Sequence, residues 1–159
     1  MKTLSVALAV ALCGSLAGAG AANAVTPKVG AWKVKLDGAA APRGAQAGSL
    51  TVVARKGKLS VATINAPGFY VRCTGAGAQP EEVNPGFDGQ FGLGGPFRIS
   101  KKGAFGGSSR SRAGTARTQS FSGTFTSQRR AKGTLRVRIT GSAARTCDSG
   151  AVKWRASKK

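Results

Sequence analysis

The run Leu135-Arg136-Val137-Arg138-Ile139 alternates apolar and cationic residues. A helix scatters such a pattern around its axis, whereas a strand sends successive side chains to opposite faces, making one face dry and the other charged. The alternation recurs in Trp32, Val34 and Leu36 against Lys33 and Lys35, in Phe69, Val71 and Cys73 against Tyr70 and Arg72, in Phe97 and Ile99 against Arg98, and in Val152, Trp154 and Ala156 against Lys153 and Arg155. No window after residue 24 holds a 3.6-residue period. The chain therefore reads as all-β, cut into strands by Gly, Pro, Asn and Lys-Gly breakers.

The strands expected on this basis are Gly30 to Leu36, Ser49 to Arg55, Lys58 to Ile64, Gly68 to Cys73, Phe97 to Ser100, Arg117 to Thr126, Gly133 to Thr140, Ala143 to Cys147 and Ala151 to Ala156. Short links join several of them: Lys56-Gly57, a turn at Gln128 to Lys132, and Asp148-Ser149-Gly150. Such links favour antiparallel neighbours. The expected architecture is a single antiparallel β-sandwich or barrel of about eight to nine strands, with a sandwich preferred. The Gly-, Pro- and Ser-rich stretches 38–48, 74–96 and 103–116 read as loops, the last a mobile one. Phe87-Asp88-Gly89-Gln90-Phe91 and Phe121-Ser122-Gly123-Thr124-Phe125 echo each other. In a strand both rings and the central glycine share a face, where the missing side chain leaves room for neighbouring rings.

Residues 1–24 carry Lys2, an apolar stretch from Leu4 to Leu16, and Ala22-Asn23-Ala24 before Val25. They read as a secretory signal peptide cleaved after Ala24, and the apolar run is too short for a membrane span. Cleavage would remove Cys13 and leave Cys73 and Cys147. In an exported chain two cysteines imply one disulfide with a single possible connectivity.

The Phe-x-Gly-x-Phe run, Gly133-Thr134-Leu135-Arg136, Cys147-Asp148-Ser149-Gly150 and Val152-Lys153-Trp154 together resemble a pattern in uncharacterised exported β proteins of high-GC Gram-positive bacteria. The resemblance covers roughly the last third of the chain. It implies an exported single β domain with one disulfide, and carries over neither activity nor functional residues.

Little chemistry is available for catalysis. The absence of histidine excludes Ser-His and Cys-His nucleophile activation and imidazole-ligated metals. Gly57-Lys58 lacks the Ser or Thr and the first glycine of a phosphate loop, and no helix follows Gly92, Gly94 and Gly95 to complete a dinucleotide site. Five carboxylates remain. Glu81, Glu82 and Asp88 sit among Pro80, Pro85 and Gly86 in what reads as a solvated loop, and no two of Asp37, Glu81, Glu82, Asp88 and Asp148 are expected to meet in a cleft. The expectation is a non-enzyme with neither cofactor nor metal.

Charge is the feature left to interpret. The chain has 25 Lys and Arg against 5 Asp and Glu, a formal net charge of +20. From residue 101 onward Asp148 is the sole acid. Uncompensated cations on a sheet face attract polyanions through many weak, salt-sensitive contacts, and guanidinium pairs bidentately with phosphate and carboxylate. The residues expected to bind are Arg129, Arg130, Lys132, Arg136 and Arg138, with Arg110 and Arg112 as flexible auxiliaries. The partner would be an anionic extracellular polymer or the cell envelope: wall polymer, acidic glycan or lipid head groups. One tyrosine and few other outward rings leave no platform for reading nucleic-acid sequence. The remaining readings are a carbohydrate module, which needs coplanar exposed rings where Tyr70 alone points outward, a small-ligand barrel with a spacious interior, and a structural protein with no ligand. A monomer with no transmembrane segment after cleavage completes the expectation.

Overall fold

A computed structural model of the chain describes residues 25–38, 48–75, 77–83, 86–87, 96–111, 116–141 and 145–159. The expected signal peptide, Arg112, Asp88 and most of the Phe87–Phe91 echo lie outside them. The described residues form twelve strands: β1 Gly30–Asp37, β2 Gly48–Arg55, β3 Lys58–Asn65, β4 Phe69–Thr74, β5 Glu81–Val83, β6 Gly86–Phe87, β7 Phe97–Arg98, β8 Ala104–Ser111, β9 Ala116–Ser127, β10 Arg130–Thr140, β11 Thr146–Asp148 and β12 Val152–Ser157. All the pairings are antiparallel and the described residues contain no helix.

The main path runs β5-β4-β11-β10-β12-β1-β2-β3-β6, with β9 on the other edge of β10, β8 outside β9, and β7 on β3. β10 organises the fold. Its first half pairs with β12, its last three residues pair with β11, and its whole length pairs with β9. The sheet curls on itself without closing. Trp32 of β1 meets Phe125 of β9 edge-on at 5.2 Å, although β12 and β10 separate those strands along the ladder. Phe105 of β8 continues the ring chain, 4.9 Å from Phe125 and 5.9 Å from Trp154. The concave face is therefore the core.

Side-chain parity holds as the alternation predicts. Trp32, Val34, Phe69, Val71, Leu135, Val137, Ile139, Trp154 and Ala156 are buried, and the cations between them are exposed. One place breaks the rule. A bulge opposite the Thr51–Val52 step leaves Ala62 unpaired, so Val61 and Ile64, three residues apart, are both buried on the inner face, and Ser60 is buried beside Val61. Lys56 and Gly57, with φ of 49° and 70°, turn β2 into β3 with the two left-handed residues a tight hairpin needs.

Three expectations need correction. Within the stretch 103–116, Ala104–Ser111 is not a mobile loop, because it pairs along its whole length with β9. Its Gly, Ser and Arg content conceals the strand, since it lacks the β-branched residues that mark others. The pairing edge of β9 makes it a strand, and small residues let it fit: Gly107 lies beneath the Phe97 ring, where a side chain would collide. Within 74–96, β5 and β6 are likewise strands, paired to β4 and β3. The turn expected over Gln128 to Lys132 is confined to Gln128 and Arg129, so Arg130 and Lys132 belong to β10.

The glycine expectation for Phe121–Phe125 is met. Phe121 and Phe125 are buried, and Gly123 stands directly opposite Gly133, which stands opposite Trp154. A methyl group on Gly123 would lie 2.5 Å from Trp154 Cζ2 and 2.7 Å from Phe105 Cζ. One on Gly133 would lie 2.6 Å from the same indole carbon and against the Ser122 carbonyl. The two glycines are the seat of the indole.

Cys73 and Cys147 form the expected disulfide from opposed positions on β4 and β11, 74 residues apart. Closing a loop of that length stabilises the fold by roughly 4 kcal/mol in the chain-entropy model. A Cys73→Ser, Cys147→Ser protein is expected to lose about 2–5 kcal/mol in denaturant unfolding. Gly133→Ala should cost about 1–3 kcal/mol or more through overpacking, while Thr124→Ala on the outer face stays within about 0.5 kcal/mol. Equal unfolding midpoints for these two substitutions would refute the glycine seat.

Candidate functional site

The convex face carries what parity excludes from the core. Because directly opposed residues on antiparallel strands point the same way, the registers of β1, β12 and β10 order the cations into rows. Lys35 stands opposite Arg155, and Arg155 stands opposite Lys132. The next row is Lys33, Ser157 and Arg130, and the row beyond on the other side is Asp37, Lys153 and Thr134. Six cations thus occupy one exposed patch over three adjacent strands, with Asp37 the only acid in those strands. Asp37 takes two contacts from Arg155, at 2.9 Å from Nε and 2.7 Å from a terminal nitrogen.

Like charges placed directly opposite destabilise a sheet. Both opposed pairs of the row share Arg155, whose charge Asp37 partly offsets. Flexible lysine stems moderate the repulsion by spreading their heads into water.

Two adjoining grooves run between these side chains. One, of about 400 Å³, is walled by Lys33, Lys35, Arg130, Lys132 and Arg155, with Thr126 and Ser157 at its sides. The other, of about 570 Å³, shares Lys132 and Arg155 but adds Lys153, Asp37 and the hydroxyls of Ser122, Thr124 and Thr134. Ser122 and Thr134 share a hydrogen bond of 3.1 Å across β9 and β10.

The residues expected from sequence are divided by the fold. Arg130 and Lys132 lie in the patch. Arg129 is exposed in the turn just beyond it. Arg136 and Arg138 lie farther along β10 and converge on Asp148. Arg136 donates to its two carboxylate oxygens at 2.9 and 2.6 Å, and Arg138 donates at 3.2 and 3.0 Å. This pair ties β10 to β11. Arg110 is exposed on β8, in the β9 register position of Thr118, and is an ordered strand residue rather than a flexible auxiliary. Lys33, Lys35, Lys153 and Arg155 were legible as outward cations, but their convergence with Arg130 and Lys132 is a matter of strand order.

Arg117 departs from the other arginines. It stands opposite Ile139 and shares its inward parity, with Nε and one terminal nitrogen buried and unpartnered. Burial pushes its pKa down, and the Glu81 charge offsets this only in part. It adds nothing to the outer patch.

Three carboxylates are engaged separately: Asp37 by Arg155, Glu81 by Arg145 at 3.2 Å, and Asp148 by Arg136 and Arg138. Glu81 also lies 3.9 Å from Cys147 Sγ, but both sulfurs are committed to the disulfide, so this trio offers a metal one carboxylate. Among the described residues the large exposed hydrophobics are Val29 and Tyr70, so the coplanar rings of a neutral-sugar platform are not found there. No described helix is long and apolar enough to cross a membrane.

Comparison with protein-family models, curated proteins and solved structures returns no match.

The Asp148 cluster has a pH signature. The Arg136 hydrogen bonds, with help from the Gly150 N–H and Arg138, hold the Asp148 carboxyl far below the usual carboxylate range against the opposing effect of burial. A depressed folded-state pKa stabilises the fold above the unfolded value of about 4, and that contribution is lost as pH falls further. Thermal unfolding from about pH 4 down to 2 should therefore depend less on pH in Asp148→Asn than in the parent. Parallel curves would contradict the assignment.

Proposed function

We propose that the protein is a secreted or envelope-associated, non-catalytic β module that captures anionic extracellular polymers on the face built by β1, β12 and β10. The observation that carries this reading is the row Lys35–Arg155–Lys132, flanked by Lys33, Arg130 and Lys153. Asp37 offsets one of these six charges, and a polyanion laid across the strands would neutralise the remainder. Binding then arises from several shallow contacts and counterion release. The disulfide and the leader-like first 24 residues support an exported location.

On this reading Arg136 and Arg138, expected from sequence as binders, become secondary ones. Their two charges share one carboxylate, so a ligand there competes with Asp148. Lys132 and Arg130 have no acid opposite them in the β10–β12 and β9–β10 registers.

Stability and binding should move in opposite directions. Arg130→Gln with Lys132→Gln is expected to weaken binding to a soluble poly(glycerol phosphate) wall polymer about tenfold at low salt, and to flatten the slope of log affinity against log salt by roughly one to two. The same variant should unfold at an equal or higher temperature than the parent. Unchanged affinity and slope in a folded variant would overturn the reading.

A further inference from the structure

The two grooves differ in chemistry, and the difference points to the class of polymer. The smaller is lined by cations, with hydroxyls but no acid. The larger mixes two lysines and Arg155 with the Asp37 carboxylate and three hydroxyls, and the Gly123 and Gly133 backbone, Ala104, Phe105 and Trp154 complete its lining. Lys132 and Arg155, directly opposed on neighbouring strands, border both. A chain crossing from one groove to the other must pass between them.

A polymer charged on every unit would set one of its anions beside Asp37, in a groove whose three cations are already partly offset, while the smaller groove holds five cations and no acid. Arg155 holds Asp37 at this position through two nitrogens. Hydroxyl groups meet the opposite reception. A carboxylate accepts from them, lysines donate to them, and Ser122 and Thr134 do both. Resting on the polyanion reading above, we infer that the ligand is an acidic polysaccharide in which charged and uncharged sugars alternate. The charged sugar occupies the cationic groove, and its carboxylate or sulfate meets Lys33, Lys35 and Arg130. The neutral sugar occupies the larger groove and is held by the Ser122 and Thr134 hydroxyls, Lys153 and Asp37. Lys132 and Arg155 grip the linkage between the two. Adjacent strands are about 4.8 Å apart and alternate residues along a strand about 6.7 Å apart, so neighbouring contact points lie at the scale of single sugar units.

The test compares hyaluronan, which alternates a uronate with a neutral amino sugar, with long-chain polyphosphate, which is charged on every unit and has no sugar hydroxyls. In Ser122→Ala with Thr134→Val, hyaluronan affinity is expected to fall about fivefold while polyphosphate affinity stays within about twofold. In Asp37→Asn, polyphosphate affinity should rise by a larger factor than hyaluronan affinity. Circular dichroism checks that each variant keeps its strands, and the Ser122→Ala and Thr134→Val single substitutions serve if the double does not. Equal changes for both polymers, or none, would overturn the alternating-sugar assignment. The basic-face reading would then still stand if Arg130→Gln with Lys132→Gln weakened polyphosphate binding. Failure of the parent protein to bind either polymer would overturn both.

Discussion

Trp154 rests on two glycines that face each other across β9 and β10, and this contact locks the register of the three strands that meet there. A side chain at either glycine would push the indole away, and a slip of one residue would turn every side chain of the strand to the other face. The interior consequence is a continuous set of rings from Trp32 through Phe125 and Phe105 to Trp154. The exterior consequence is the order of the cations. Arg155 follows Trp154, Lys132 precedes Gly133, and Lys35 precedes Leu36, so the packing that aligns the core row also aligns the charged row beside it.

That coupling gives the molecule an internal tension. The hydrophobic side of β12 is satisfied, while the outer side brings like charges together where cross-strand pairs ordinarily attract. At the other end of β10 the same problem is solved locally, with Asp148 bridging Arg136 and Arg138. One strand thus carries a neutralised segment that joins it to β11 and an unneutralised segment that presents charge. The contrast is chemical: Arg136 and Arg138 have their anion within the chain, whereas Arg130 and Lys132 have no acid opposite them.

Parity made much of this visible beforehand. Leu135, Val137 and Ile139 against Arg136 and Arg138, and Val152, Trp154 and Ala156 against Lys153 and Arg155, went to the faces the alternation assigned. The room required beside Gly123 was also legible, because a glycine between two same-face phenylalanines has a packing meaning. β8 was not legible. Ala104–Ser111 has one strong strand former, Phe105, among glycines, serines and an arginine, and acquires its conformation from the edge of β9. Arg117 was hidden for a related reason, because its inward direction follows from the register with Ile139 and not from its own chemistry. Arg130 and Lys132 were expected as outward cations, but the β1 lysines that join them in the patch are about a hundred residues away in sequence.

The order of residues by itself determined the all-β class, the two faces of each strand, the scarcity of acids and the availability of a cystine, because these depend on local periodicity and composition. The folded structure alone decided which strands became neighbours, and so which cations gathered and which found a carboxylate. Backbone pairing is chemically the same for every strand, so strand order is settled by how the rings and glycines of distant segments pack together, and alternation within one segment holds no record of that.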